Sequence, residues 1–192
     1  MLEEEYQPRR KPPVVVKPTI EQEQAFEYTI RPAITGDLPA VREIYNHYVM
    51  NSTVTFDEKA MTLASMRKKF ATTERLGQPF IVAESPRGQI LGYAYVTPWK
   101  EKAAYRFTVE NSIYLGPAAT GKGLGKALLT ELIVRAKAAG IKEIIAVIAD
   151  KGADASIQMH KNFGFKEIGH MGKVGFKFGR WLGTVLLQKS LK

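Results

Sequence analysis

TVENSIYLGPAATGKGLGKALL, Thr108 to Leu129, joins a β-type run to a helical pattern through a glycine-rich loop carrying Lys122 and Lys126. The first eight residues are rich in β-branched and aromatic side chains, the composition of a strand. Leu124, Leu128, Leu129, Leu132, Ile133 and Ala136 then form one apolar stripe at helical spacing, and Gly140 is a natural stop. Strand, glycine loop and helix in that order suit a phosphate cradle. Glycines let the backbone approach closely, successive N–H groups converge, and the helix N-terminus favours negative charge there. The same order also suits a plain strand-to-helix turn.

Two nucleotide motifs are close but fail on chemistry. Gly116 to Lys122 satisfies G-x-x-x-x-G-K, yet position 123 is glycine where a nucleotide-triphosphate loop needs a hydroxyl to hold magnesium. Read as a dinucleotide fingerprint, Gly121-x-Gly123-x-x lands on Lys126. The ribose-binding acid expected about 20 residues on is replaced by Lys142 and Glu143, which start a strand. What remains is a metal-free pyrophosphate cradle, or only a turn.

Working outward, YTIRPA alternates like a strand, and Asp37 is placed to cap LPAVREIYNHYV. Thr62 is placed to cap LASMRKKFATTERL. FIVAES and ILGYAYV flank the turn PRGQ as a hairpin, KEIIAVIA reads as a buried strand, DASIQMHKNFG as a short capped helix, and Phe165 to Leu191 as a glycine-punctuated β tail. The fold class is therefore α/β with a mixed, largely antiparallel sheet. Gln7 to Thr19 has four prolines and four basic residues without either period, so residues 1–26 are expected to form an extended arm ahead of a domain at 27–192.

The 192 residues contain no cysteine, which excludes disulfides, thiolate metal sites and a cysteine nucleophile and leaves the cytoplasm as the simplest location. No apolar run approaches the roughly 20 residues that span a bilayer, and the acidic start is unlike a signal peptide, so no membrane partner is expected. The net charge is +9. The first 24 residues carry four basic and five acidic side chains, so the excess lies in the domain. That excess suits an anionic cofactor or acidic substrate. A nucleic-acid module should show a clustered aromatic and basic stripe, whereas the basic residues are dispersed from Arg31 to Lys192.

Thr120-Gly121-Lys122-Gly123-Leu124-Gly125 resembles the pyrophosphate-gripping motif A, Q/R-x-x-G-x-G/A, of the GNAT acetyltransferase superfamily, with Thr120 in the Gln/Arg place. IYNHYV with TVTF, PFIVAE, GYAYVTPWK, AYRFTVENSIYL, GKGLGKALL, SIQMHKNFGF and VGFKFGRW together resemble the phosphinothricin-type N-acetyltransferases from about Thr29 to Gln188. The resemblance implies acetyl-CoA as co-substrate, no metal, a small amino-acid-like amine as acceptor and a homodimer. It also implies a splayed strand ahead of the loop. Ile113, Tyr114 and Leu115 there, the loop residues Thr120 to Lys126, and Ala153 and Lys161 would meet the cofactor. Ala153 stands where an Asn is common, and Gly183 where an Asp is usual.

Strand alternation sets Glu110 with Thr108, Ser112 and Tyr114 on one face, opposite Phe107, Val109 and Ile113. By itself a mid-strand carboxylate suits an ion pair, a solvent-facing position or a general base. The resemblance matches Glu110 to the family's base and His160 to the donor that protonates the departing thiolate. It assigns the acidic end of the acceptor to Lys100, Lys102 and Tyr105, with Lys102 as a point charge where Arg is usual, and makes Phe56 and Gly179 to Trp181 a pocket wall. His47 and His170 match no such role. A transferase for peptide, protein or polyamine amines is the alternative inside the family. A non-catalytic basic binding module on the same fold is the alternative outside catalysis.

Overall fold

The computed structural model of the chain describes residues 26–192, so the expected arm lies outside the described residues except for Phe26. Seven strands form one sheet in the order β1-β2-β3-β4-β5-β7-β6. They are β1 (Thr29–Pro32), β2 (Phe80–Glu84), β3 (Ile90–Pro98), β4 (Thr108–Leu115), β5 (Glu143–Ala149), β6 (Lys166–Lys177) and β7 (Arg180–Ser190). Every neighbouring pair is antiparallel except β4 with β5. This is the mixed, mostly antiparallel sheet expected. Helices α1 (Leu38–Asn51), α2 (Leu63–Arg75), α3 (Leu124–Ala138) and α4 (Asp154–Asn162) flank it.

Each face carries its own core. On one, Leu124, Leu128, Leu129, Leu132 and Ala136 of α3 are fully buried with Ile81, Val109, Ile144 and Leu187. At roughly 1.5–3 kcal/mol for each fully buried large aliphatic side chain, this stripe fixes α3, and hence the loop that begins it, against the sheet. On the other, α1 and α2 bury Leu38, Val41, Tyr45, Met66 and Phe70 against Phe80, Val82, Tyr93 and Tyr95. Gly140, at φ 80°, follows α3 as the sequence predicts.

Two caps differ from expectation. Thr62 does cap α2, accepting from the Ser65 N–H at 3.1 Å. Asp37 precedes α1 without a side-chain cap bond, because both its oxygens are taken by Arg31, at 2.7 and 2.9 Å, and one also accepts from the Ile34 N–H. A bidentate guanidinium offers two charge-assisted bonds where a cap offers one neutral donor. Similarly, Asp154 is the first residue of α4 and not its cap. Ala153 holds that place with no side-chain bond.

Candidate active site

β4 and β5 pair over only three residues each, Thr108–Glu110 against Glu143–Ile145. Beyond Glu110, β4 stays bonded to β3 as far as Leu115, and β5 stays bonded to β7 as far as Ala149. The two strands therefore part, and the edge of β4 from Asn111 to Leu115 that faced β5 is freed. This is the expected splay, with Ile113, Tyr114 and Leu115 on it. The Tyr114 ring itself points into an aromatic group with Tyr45, Tyr48 and Tyr93, so only its backbone is left for the gap. The Leu115 carbonyl accepts from the Tyr48 hydroxyl at 2.7 Å.

At the open end of the gap lies the glycine loop. Gly121 and Gly123 have φ of 74° and 81°, a left-handed turn that other residues enter at a cost, and a Cβ on either would meet open space. α3 begins at Leu124, the first residue of the apolar stripe. Gly125, by contrast, faces α4: a Cβ there would lie 3.4 Å from the Met159 sulfur, at contact distance. Among the described residues, no backbone N–H from Gly121 to Gly125 donates to a protein acceptor. Unpaired donors at the start of a 15-residue helix suit a pyrophosphate. Lys126 is exposed beside them, and the Lys122 ammonium lies 4.8 Å from the centre of the Phe26 ring. The Thr120 hydroxyl is turned to its own loop, donating to the Pro117 carbonyl at 2.9 Å.

Glu110 and His160 occupy opposite faces of β4. Glu110 faces α1 and α2. Burial pushes its carboxyl up, while Lys69 and then Lys100 pull it back. His160, on α4, is buried behind the strand. Its Nδ1 is 2.8 Å from the Ser156 carbonyl, which can only accept, so the proton sits on Nδ1. The Asn111 amide donates to Nε2 at 2.9 Å. Burial holds the imidazole below its usual range, and the ring packs edge-on against Phe165.

The expected acceptor residues are spread out. Lys100 lies 4.7 Å above the Trp99 ring, and Lys102 and Tyr105 are exposed in the turn before β4. Phe56 is seated on Gly175 of β6, where a Cβ would lie 2.5 Å from its ring. Trp181 is 56% exposed beside Phe176, so it lines the surface of the β6–β7 hairpin. Lys161 is paired with Glu167 at 2.8 Å and Ala153 is buried. His170 bonds Asp150 at 2.9 Å.

Two residues that sequence reasoning missed stand inside this site. Asn111 falls between Val109 and Ile113 on the apolar face, and a polar residue at a core register was the available signal. Lys69 sits in the exposed-looking run RKK, and nothing local distinguishes it from Lys68.

A parted strand pair ending in a free-donor glycine loop, with a half-buried carboxylate beside it, is an arrangement with the shape and the donors for a long anionic carrier. The chain belongs to the GNAT acetyltransferase family, whose domain profile, described as an acetyltransferase (GNAT) domain, matches residues 30–186. It is 42% identical to a phosphinothricin N-acetyltransferase of Alcaligenes faecalis over 85% of this chain and 82% of that protein. To an L-methionine sulfoximine/L-methionine sulfone acetyltransferase of Pseudomonas aeruginosa it is also 42% identical, over 85% of this chain and 94% of the relative. Among solved structures, a phosphinothricin acetyltransferase from Sinorhizobium meliloti in complex with acetyl-CoA matches with a TM-score of 0.82 and 45% identity, covering 85% of this chain and 88% of that one.

Proposed function

We propose that this enzyme transfers acetyl from acetyl-CoA to the primary amine of a small amino-acid-like acceptor such as methionine sulfone, methionine sulfoximine or phosphinothricin. The observation that carries the reading is Glu110: a half-buried carboxylate under the charges of Lys69 and Lys100, beside the gap where β4 leaves β5. Acetyl-CoA supplies an acetyl thioester. The free N–H groups of Gly121 to Gly125 with Lys122 and Lys126 hold its pyrophosphate. The freed edge of β4 at Ile113 and Leu115 holds the acyl arm, and the Leu115 N–H polarises the carbonyl. Lys161 leaves Glu167 if it is to join them.

Glu110 takes a proton from the acceptor ammonium, directly or through one water, and the neutral amine attacks the thioester carbon. The departing thiolate needs a proton. His160 in its observed state has none on Nε2, so we assign it to holding Asn111 and the β4 edge, with the thiol proton taken from solvent or returned from Glu110. An ordinary thiol pKa of about 8.5 makes solvent protonation easy near neutrality. The folded unit starts near residue 27. A homodimer in the cytoplasm completes the proposal, supported by family likeness.

The test is thiol release on adding acetyl-CoA with each of the three named amines, an N-terminal peptide amine and a polyamine. The small amino acids are expected to turn over fastest. A peptide or polyamine preference would overturn the assignment, and the basic lining at Lys69 and Lys100 disfavours the polyamine.

A further inference from the structure

α2 lays Met66, Phe70 and Thr73 on the sheet and exposes Arg67 and Lys68, but Lys69 turns back and is half-buried. Its ammonium donates to the Tyr95 hydroxyl at 3.1 Å and lies 5.2 and 5.7 Å from the centres of the Tyr95 and Tyr45 rings. Tyr95 pairs with Ser112, and Thr97 with Glu110, so Tyr95 and Glu110 are diagonal neighbours on one face. Among the described residues, no carboxylate lies within 4.0 Å of Lys69. One N–H is spent on a phenol, and two remain for something else. The nearby Asp57 is already engaged, accepting from the Tyr45 hydroxyl at 2.6 Å.

A half-buried cation with Glu110 as its neighbouring charge but no direct ion-pair partner is left short of close anionic contacts, which a bound carboxylate would supply. In an α-amino acid the carboxylate is one carbon from the amine. A cation that anchors it must therefore stand close to the base that deprotonates that amine. Lys69 meets this condition, being the cation whose charge acts most on Glu110, ahead of Lys100. Lys102 and Tyr105 are exposed in the turn between β3 and β4 and suit the side-chain end of the acceptor.

We propose that Lys69 binds the α-carboxylate of the acceptor and so makes the enzyme select free α-amino acids over the corresponding simple amines. This rests on the small-amine acetyltransferase reading above. The anchor is a single point charge backed by aromatic faces, which favours a carboxylate of any side chain and leaves discrimination among side chains to other residues.

The experiment compares methionine sulfone with 3-(methylsulfonyl)propan-1-amine, the same chain without its carboxylate, in thiol-release assays on the full-length enzyme and its Lys69→Met and Lys69→Arg variants. The wild type is expected to prefer the amino acid by tenfold or more in kcat/KM. Lys69→Met should collapse that preference, chiefly through the acceptor KM, and Lys69→Arg should restore part of it. Any change in Glu110 basicity acts on both amines and cancels in the ratio. A preference unchanged by Lys69→Met overturns the proposal while the acetyltransferase reading stands. No thiol release from the wild type with either amine overturns that reading and this proposal together.

Discussion

The Asn111 amide donates to Nε2 of His160 across 2.9 Å, on the face of β4 opposite Glu110. The pair joins β4, the strand that carries Glu110, to α4. It also defines a buried, neutral imidazole whose other nitrogen is committed to Ser156.

Removing the donor should be costly. Asn111→Ala leaves Nε2 buried and unpaired, at about 1–3 kcal/mol, read as a lower midpoint in denaturant with an unchanged slope. Asn111→Ser, too short to reach, should behave like alanine.

The same imidazole makes stability depend on pH in a stated direction. Its folded-state pKa lies below the ordinary 6.5, so the unfolded chain binds the proton more readily. Its contribution is present above about 6.5 and is lost as pH falls from there through the folded value. Urea unfolding at pH 7.5 and 5.5 should show a smaller loss on acidification for His160→Gln than for the wild type.

Much of the architecture was legible because its signals are local. β4, the glycine loop and α3 follow one another in a single stretch, and periodicity alone orders them. The Asp37 cap failed because its competitor, Arg31, sits on a strand six residues earlier and prevails through tertiary geometry. Lys69 was illegible for the same reason, and so was the pairing of Asn111 with His160, although Asn111 at a core register was itself a signal: each acquires its role from a partner 26 or 49 residues away. The break in β4–β5 pairing was expected by family likeness alone, since no residue pattern marks where a ladder stops.

Gly183 shows how a departure from the family pattern can be compensated. Its N–H donates to Asp150 at 3.0 Å, and a Cβ there would press on the Asp150 carboxylate and come within 2.6 Å of the Met171 carbonyl. Restoring the usual acid with Gly183→Asp should therefore destabilise by about 1–3 kcal/mol through overpacking and like charge. Adding Asp150→Gly should recover part of the loss, and a thermal double-mutant cycle measures the coupling.

The cradle makes a separable prediction. Gly123→Ala meets no neighbour but forces a left-handed alanine, at about 1–2 kcal/mol, and crowds the approach to the free N–H groups. The KM for acetyl-CoA should rise about tenfold, with the acceptor KM nearly unchanged.

Because Glu110 must be ionised to accept a proton, kcat/KM should fall as pH drops through its pKa. Burial sets that limb above the ordinary glutamate value of 4.5. Lys69→Met removes the cation that holds the carboxyl down and should move the limb further up, visible in a pH–rate profile with the carboxylate-free amine.

The central claim is that Glu110, a half-buried carboxylate on β4, is the base for acetyl transfer. Thiol release by Glu110→Gln at saturating acetyl-CoA, alongside the melting shift that acetyl-CoA gives the same variant, tests it most directly. The account predicts a rate at least about a hundredfold below wild type with the cofactor-induced shift retained. An unchanged rate with the shift intact would contradict it.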